Sequence, residues 1–197
     1  MNTITLLKKL GDIGKGYYTP ADISKITGLS GGALKVRLNR LVKSGIIERL
    51  RRGMYAVPGM KTDPERAAND AVYPSYISFA SALSKYGVIS EVPYVLEFAT
   101  TKGTRKKRVG CMDVVYRKLQ KGLFFGYTLS NGVLIAEPEK AVLDLVYLKT
   151  AGKYAGNETE KLDIKKLDIK KLKKYAMRFP AKARTALGNV TGLRIGK

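Results

Sequence analysis

The chain has 197 residues, with 37 Lys and Arg against 16 Asp and Glu, for a formal charge of +21. A surplus of that size points to a polyanionic partner rather than a small metabolite. With no His and one Cys, imidazole metal ligands, a His general base, an internal disulfide and a Cys-cluster zinc site are all excluded.

Apolar residues make up 45% of the chain, enough for a globular protein with one large or two small cores. The charge is uneven. Residues 1–60 carry 11 basic and 3 acidic side chains (+8), residues 61–150 carry 13 and 9 (+4), and residues 151–197 carry 13 and 4 (+9). No run of 18 apolar residues occurs and the first residues lack a signal-peptide apolar region, so a cytoplasmic protein with no membrane partner is expected.

Residues 2–11 predict a first helix, with Ile4, Leu7 and Leu10 placed to pack on Ile23 and Leu38. Thr19 is a good N-cap for a second helix, Pro20 suits its first position, and Asp22 lies in the first turn. Gly28 ends this helix, Leu29 plugs the corner, and Ser30 caps a third helix running from Gly31 to about Ser44 and stopped by Gly45. At 100° per residue, Leu34, Leu38, Leu41 and Val42 share one face. Gly32, Val36, Asn39, Arg40 and Lys43 lie opposite, flanked by Lys35 and Arg37. Arg suits guanine edges, Asn suits adenine, and an exposed Val suits a thymine methyl. Glycines at the helix start let the backbone approach a phosphate.

Ile46–Leu50 and Met54–Val57 then predict two short strands, with Arg51-Arg52-Gly53 as the turn. The sequence of elements is that of a winged helix-turn-helix, whose recognition helix enters the major groove while the wing touches backbone or minor groove. The candidate DNA-binding residues are Ser30, Gly32, Lys35, Val36, Arg37, Asn39, Arg40, Lys43, Arg51 and Arg52. A solvated basic helix face is the competing reading.

Pro58–Pro64 has linker composition, which predicts a domain of residues 1–60 and a second of 61–197. In the second, Glu65–Val72 predicts a helix, and Ser75–Tyr86 predicts another lined with small residues for close packing. Strands are expected at Tyr94–Thr101, Val109–Tyr116, Leu123–Thr128 and Val133–Ala136, with Ser130-Asn131-Gly132 as a turn. Cys111 is expected as a buried structural thiol, and Lys102–Arg108 as a basic loop. Pro138 to about Lys149 predicts a buried helix in which Asp144 needs a partner. Residues 152–160 have a flexible composition. Leu162-Asp163-Ile164-Lys165-Lys166 is repeated as Leu167-Asp168-Ile169-Lys170-Lys171, with Asp168 expected to cap a helix to Phe179. A short helix from Pro180 to about Leu187 and a fraying tail from Gly188 follow. The predicted class is α+β: the winged unit, then an α/β domain with a small, mostly antiparallel sheet and a basic helical tail.

Arg52-Gly53-Met54-Tyr55-Ala56-Val57-Pro58, Tyr76-Ile77-Ser78-Phe79-Ala80-Ser81-Ala82-Leu83 with Tyr86-Gly87, Phe98-Ala99-Thr100-Thr101 and Glu139-Lys140-Ala141-Val142-Leu143-Asp144-Leu145, in that order, resemble the AbiEi family of type IV toxin–antitoxin antitoxins. The resemblance spans most of the chain, and the repeated pentapeptide departs from it. It implies an autorepressor that binds double-stranded DNA at inverted repeats in its own promoter. It also implies a C-terminal domain countering a nucleotidyltransferase toxin or its RNA or nucleotide substrate. A second basic surface would carry that role: Lys102, Arg105, Lys106, Lys107, Arg108, Lys165, Lys166, Lys170, Lys171, Lys173 and Lys174. No cofactor and no catalytic residue are expected. A solitary repressor, an RNA-binding protein and a nucleotidyltransferase are the alternatives. The last lacks the required acidic pair after a Gly-Ser turn, since Glu158-Thr159-Glu160 has the spacing alone.

Overall fold

The structure is a computed structural model describing residues 1–60, 63–155, 159 and 162–195. It is α+β and divides into two compact units, Met1–Ala68 with Arg108–Met112, and Asn69–Lys107 with Asp113–Lys197.

The first unit holds α1 (Thr3–Ile13), α2 (Pro20–Thr27), α3 (Gly31–Lys43) and the antiparallel hairpin β1 (Glu48–Arg51) and β2 (Met54–Ala56). Thr19 and Asp22 form a reciprocal capping box at α2: the Thr19 oxygen accepts from the Asp22 N–H, and the Asp22 carboxylate accepts from the Thr19 N–H and hydroxyl. Gly28, at φ +72°, closes α2 in the left-handed region. After α3, the Ile46 N–H reaches back to Leu41 O and the Gly45 N–H to Val42 O, with Gly45 at φ +68°. Ser30, expected to cap α3, makes no side-chain cap bond.

Leu6, Leu10, Ile23, Leu34, Leu38, Leu41 and Ile47 form the core with Tyr18, Tyr55 and Val57. Ile4 is not among them: it is 78% exposed, and Leu6 takes the place expected of it, because the buried stripe of α1 runs through 6, 7 and 10. Tyr18 and Tyr55 exchange backbone hydrogen bonds of 2.7 and 2.9 Å, adding a one-residue bridge beside β2. The Tyr18 hydroxyl donates to Leu10 O.

α4 (Pro64–Ala71) leads into the second unit. β3 (Ser75–Ile77), β4 (Leu96–Thr100), β5 (Arg105–Val109), β6 (Met112–Lys118), β7 (Tyr127–Ser130) and β8 (Val133–Ala136) form a sheet ordered β5-β6-β4-β3-β8-β7, which belongs to the second unit except at Arg108–Met112. The sheet is mixed: β3–β4 and β7–β8 are antiparallel, whereas β4–β6 and β3–β8 are parallel.

Four local expectations are corrected here. The single helix expected over 75–86 is instead β3 followed by α5 (Phe79–Lys85), because Ser75, Tyr76 and Ile77 are claimed by β4 on one side and β8 on the other. The basic loop expected at 102–108 is largely strand β5. Of the strand expected at 123–128 only Tyr127 and Thr128 are strand, and a short 3₁₀ turn occupies Lys121–Leu123. Cys111 is exposed, since it falls with Gly110 in the turn between β5 and β6.

α6 (Pro138–Thr150) is buried along most of its length. Asp144 finds its partners inside the unit. Lys140 Nζ donates to it one turn away, Tyr76 and Ser78 donate hydroxyls at 3.0 and 2.8 Å, and Lys140 also donates to the Tyr76 oxygen at 2.9 Å. Both ion-pair side chains are fully buried. Burial pushes the Asp144 carboxyl up and the Lys140 ammonium down, each opposed by the other's charge. Burial and the charge of Asp144 push the Tyr76 phenol well above its ordinary value, so it remains a donor.

Both copies of the repeated pentapeptide use their Asp as a cap, but on N–H groups two residues on in the first copy and three residues on in the second. Asp163 accepts from the Lys165 N–H above one 3₁₀ turn, and Asp168 accepts from the Lys171 N–H above α7 (Ile169–Ala176). The first turn stops because Leu167 is extended and buried, and only α7 continues, with Leu172 and Ala176 inward. α8 (Ala181–Thr191) continues through Gly188, the residue from which fraying is expected, with Ala183, Leu187 and Thr191 buried. Of the flexible composition at 152–160, residues 156–158 and 160 lie outside the described residues. No helix among the described residues is long and apolar enough to cross a membrane.

Candidate nucleic-acid interface

The three leucines that anchor α3 fix its rotation. With Leu34, Leu38 and Leu41 inward, a period of 3.6 leaves Gly32, Lys35, Val36, Asn39, Arg40 and Lys43 exposed. Val36 is 50% exposed, so its methyls face water rather than core. Ser30 is exposed at the start of the helix. Arg37 differs: it is half-buried, and its guanidinium donates to the Thr3 hydroxyl at 3.0 Å, tying α3 to α1.

The hairpin meets α3 along a groove of about 270 Å³, whose walls include Lys35 and Asn39 from α3 and Arg49, Arg52 and Tyr55 from the hairpin. Gly53, at φ +80°, makes the tight turn that an L side chain would strain. Arg52 is exposed at that turn, whereas Arg51 is half-buried and donates through Nε to Arg52 O at 3.4 Å. Of the expected residues, then, Lys35, Asn39 and Arg52 share the groove. Gly32, Val36, Arg40 and Lys43 occupy the exposed face of α3 outside its lining.

Arg49 is not among the residues expected from the sequence. Its guanidinium carbon lies 5.6 Å from the Tyr55 ring centre, and Nη2 donates to the Tyr55 hydroxyl at 3.4 Å. The register explains this: Arg49 sits opposite Tyr55, and the pairing is irregular between Arg49 and Arg51, so neighbouring arginines of one strand do not alternate simply. A third Arg on the strand leading into the hairpin tip, two residues before Arg51, is the signal that could have found it. Three cations and one amide around a concave wall can bind phosphate oxygens and present donors and an acceptor to base edges.

The second set of basic residues comes from two stretches of the chain. Lys102, Arg105, Lys106 and Arg108 are exposed and Lys107 is half-buried, on β5 or just before it; Arg108 falls in the first unit and the others in the second. Lys165, Lys170, Lys173 and Lys174 are exposed on or before α7. Lys166 instead donates to Gly87 O at 2.6 Å. Lys171 donates to Glu137 at 2.7 Å, an interaction that raises its pKa. Burial pushes Glu137 up, but the bonds from Lys171 and Tyr175 outweigh it and hold the carboxyl below its ordinary value. Among the described residues no group of three His, Cys, Asp or Glu is arranged to hold a metal.

Residues 7–58 match the family model described as "Transcriptional regulator, AbiEi antitoxin". No curated protein matches the chain. Among solved structures, the crystal structure of the RV2827C protein from Mycobacterium tuberculosis is similar, with a TM-score of 0.67 and 12% identity, covering 95% of this chain and 75% of that one. Likeness at that identity is likeness of fold.

Proposed function

We propose, taking the match of residues 7–58 to the AbiEi antitoxin regulators as the premise, that this chain is a non-enzymatic DNA-binding transcriptional regulator acting in the cytoplasm. Residues 1–60 act as a winged helix-turn-helix domain, with α3 as recognition helix and the β1–β2 hairpin as wing. The observation that carries this reading is the groove in which Lys35 and Asn39 of α3 meet Arg49 and Arg52 of the hairpin. Its cations suit phosphates, and Asn39, Arg40 and Val36 on the exposed face suit base edges. The target is double-stranded DNA in the protein's own promoter, bound at inverted repeats. Gel shifts of the full chain test this, with its upstream DNA against a scrambled duplex of equal length. Preferential retardation of the upstream DNA is expected, and equal retardation of both sinks the reading.

Residues 61–197 supply the antitoxin function against a nucleotidyltransferase toxin, through contact with it or with its RNA or nucleotide substrate. The exposed lysines of this region support an electrostatic role, which sets rate and specificity more than affinity. Because Lys166 and Lys171 are engaged internally, the informative variant reverses Lys165, Lys170, Lys173 and Lys174 to Glu. It should fail to rescue growth from the cognate toxin while keeping promoter binding. Full rescue removes α7 from the antitoxin surface.

A further inference from the structure

The second unit contains a cavity of about 510 Å³ that plays no part in the reading above. That volume falls in the range of about 300–1,000 Å³ of small-ligand sites. Its walls are mostly apolar, from Ala80, Ile89, Val92, Pro93, Val95 and Val115. At its floor three polar groups hold one another. Arg117 donates to Glu97 Oε1 through Nε at 2.9 Å and lies 2.8 Å from it through Nη2, and Tyr154 donates to Glu97 Oε2 at 2.8 Å. The Arg117 guanidinium also lies over the Tyr154 ring, 4.3 Å from its centre, and Nη1 donates to Lys153 O at 3.3 Å. Glu97 is buried, so this constellation is built into the sheet rather than draped over it.

Two features of the cavity face water. Tyr94 is fully exposed and Val92 is 81% exposed, which places an uncovered aromatic face on the wall. Lys106 comes from strand β5, where Arg105 and the preceding Lys102 are also exposed. Glu97 is paired with Arg117 within the lining, and the exposed Lys102 and Arg105 outside it add positive charge on the β5 side. A ligand complementary to all of this has a flat apolar face for Tyr94, a polar heteroatom edge for the Glu97–Arg117–Tyr154 floor, and an anion reaching the β5 side.

We propose that this cavity binds a nucleotide, its base against Tyr94 with the ring edge toward Glu97 and Arg117, and its phosphate on Lys106. Base–aromatic stacking tolerates any base, because every base has a π face. The nucleotide is either free or an unpaired residue of a single strand, and both sources offer the same chemistry. Neither depends on the DNA-binding role proposed for the first unit.

The full chain is titrated with adenosine 5′-monophosphate, adenosine, inorganic phosphate and a short oligoadenylate, following affinity by calorimetry and base-proton saturation transfer by NMR. The monophosphate is expected to bind with its base protons saturated, adenosine to bind about ten-fold more weakly, and phosphate not to compete at similar concentration. Tyr94→Ala should weaken the monophosphate about ten-fold, and Tyr94→Phe should keep its affinity. Lys106→Glu should weaken the monophosphate but not adenosine. Since both side chains are exposed, the variants should melt with the parent. Oligoadenylate binding that is at least ten-fold tighter, with the same Tyr94 dependence, assigns the site to a strand; equal affinity assigns it to a free nucleotide. No binding, competition by phosphate alone, or binding indifferent to both substitutions overturns the proposal.

Discussion

Helices α3 and α6 are both 13 residues long and both carry lysine, yet they use charge in opposite ways. α3 buries three leucines and turns Lys35, Arg40 and Lys43 to water. α6 buries nine residues, among them Glu139, Lys140 and Asp144. Lys35 and Lys43 of α3 remain exposed to an external anion, whereas Lys140 of α6 is consumed by an internal one. A cation on a helix therefore acquires its role from what packs over it, and the difference can be measured.

The largest effect is expected in α6. Asp144→Ala strands the buried Lys140 ammonium and leaves the Tyr76 and Ser78 hydroxyls without their acceptor. Removing one partner of a buried pair costs about 3–5 kcal/mol, to be read from urea denaturation. Lys140→Met combined with Asp144→Leu should cost less than Asp144→Ala alone, because no unpaired charge remains. A double variant as unstable as the single one would assign the loss to packing.

A substitution on α3 should reverse the pattern. Arg40→Ala should weaken binding to the upstream DNA by about 1–3 kcal/mol and have little effect on random DNA, while moving folding stability by less than about 0.5 kcal/mol. Equal loss on both DNAs would make Arg40 a phosphate-binding residue, and no loss would take this face out of the interface.

At the cap of α2, Thr19→Ala should cost about 1 kcal/mol of stability. Burial pushes the Asp22 carboxyl up, but the Thr19 N–H and hydroxyl and Lys15 outweigh it, leaving Asp22 below its ordinary value. Its contribution is therefore complete above the unfolded-state pKa and lost as pH falls through the lower folded value. Asp22→Asn should flatten that acid limb in urea melts at descending pH; an unchanged limb would place the titration elsewhere.

The smallest effect is expected at the hairpin tip. Replacing Arg51 and Arg52 by Ala should flatten the slope of log affinity against log salt by at most about 2, roughly 0.9 for each phosphate no longer neutralised. Because Arg51 is half-buried and Arg52 exposed, Arg52→Ala alone should account for more of the change. An unchanged slope would turn the tip away from DNA.

Much of the first unit was legible in the residues themselves. Thr19, Asp22, Gly28 and Gly45 mark helix ends, and the spacing of Leu34, Leu38 and Leu41 sets the outward face of α3. The groove was legible only in part, because Arg49 enters it through its register opposite Tyr55. In the second unit, β3 was hidden because Ser75-Tyr76-Ile77 runs straight into Ser78, Ala80, Ser81, Ala82 and Ser84, the small residues of a helix-like stretch. Cys111 has the apolar neighbours of a buried thiol in Val109 and Val114, but its place in a two-residue turn exposes it.

The sequence by itself determined what depends on groups three or four residues apart: the Thr19–Asp22 box, the Asp168 cap and the amphipathic turn of α3. Tertiary structure decided what depends on distant partners. Tyr76 and Ser78 meet Asp144 across 68 and 66 residues, and Arg37 meets Thr3 across 34. β3 is a strand because β4 and β8 both pair with it. A cap lies within reach of the local backbone whatever the rest of the chain does. A buried charge or a central strand is tolerable only once remote chain supplies its missing hydrogen bonds, and local residue order does not specify which remote chain that will be.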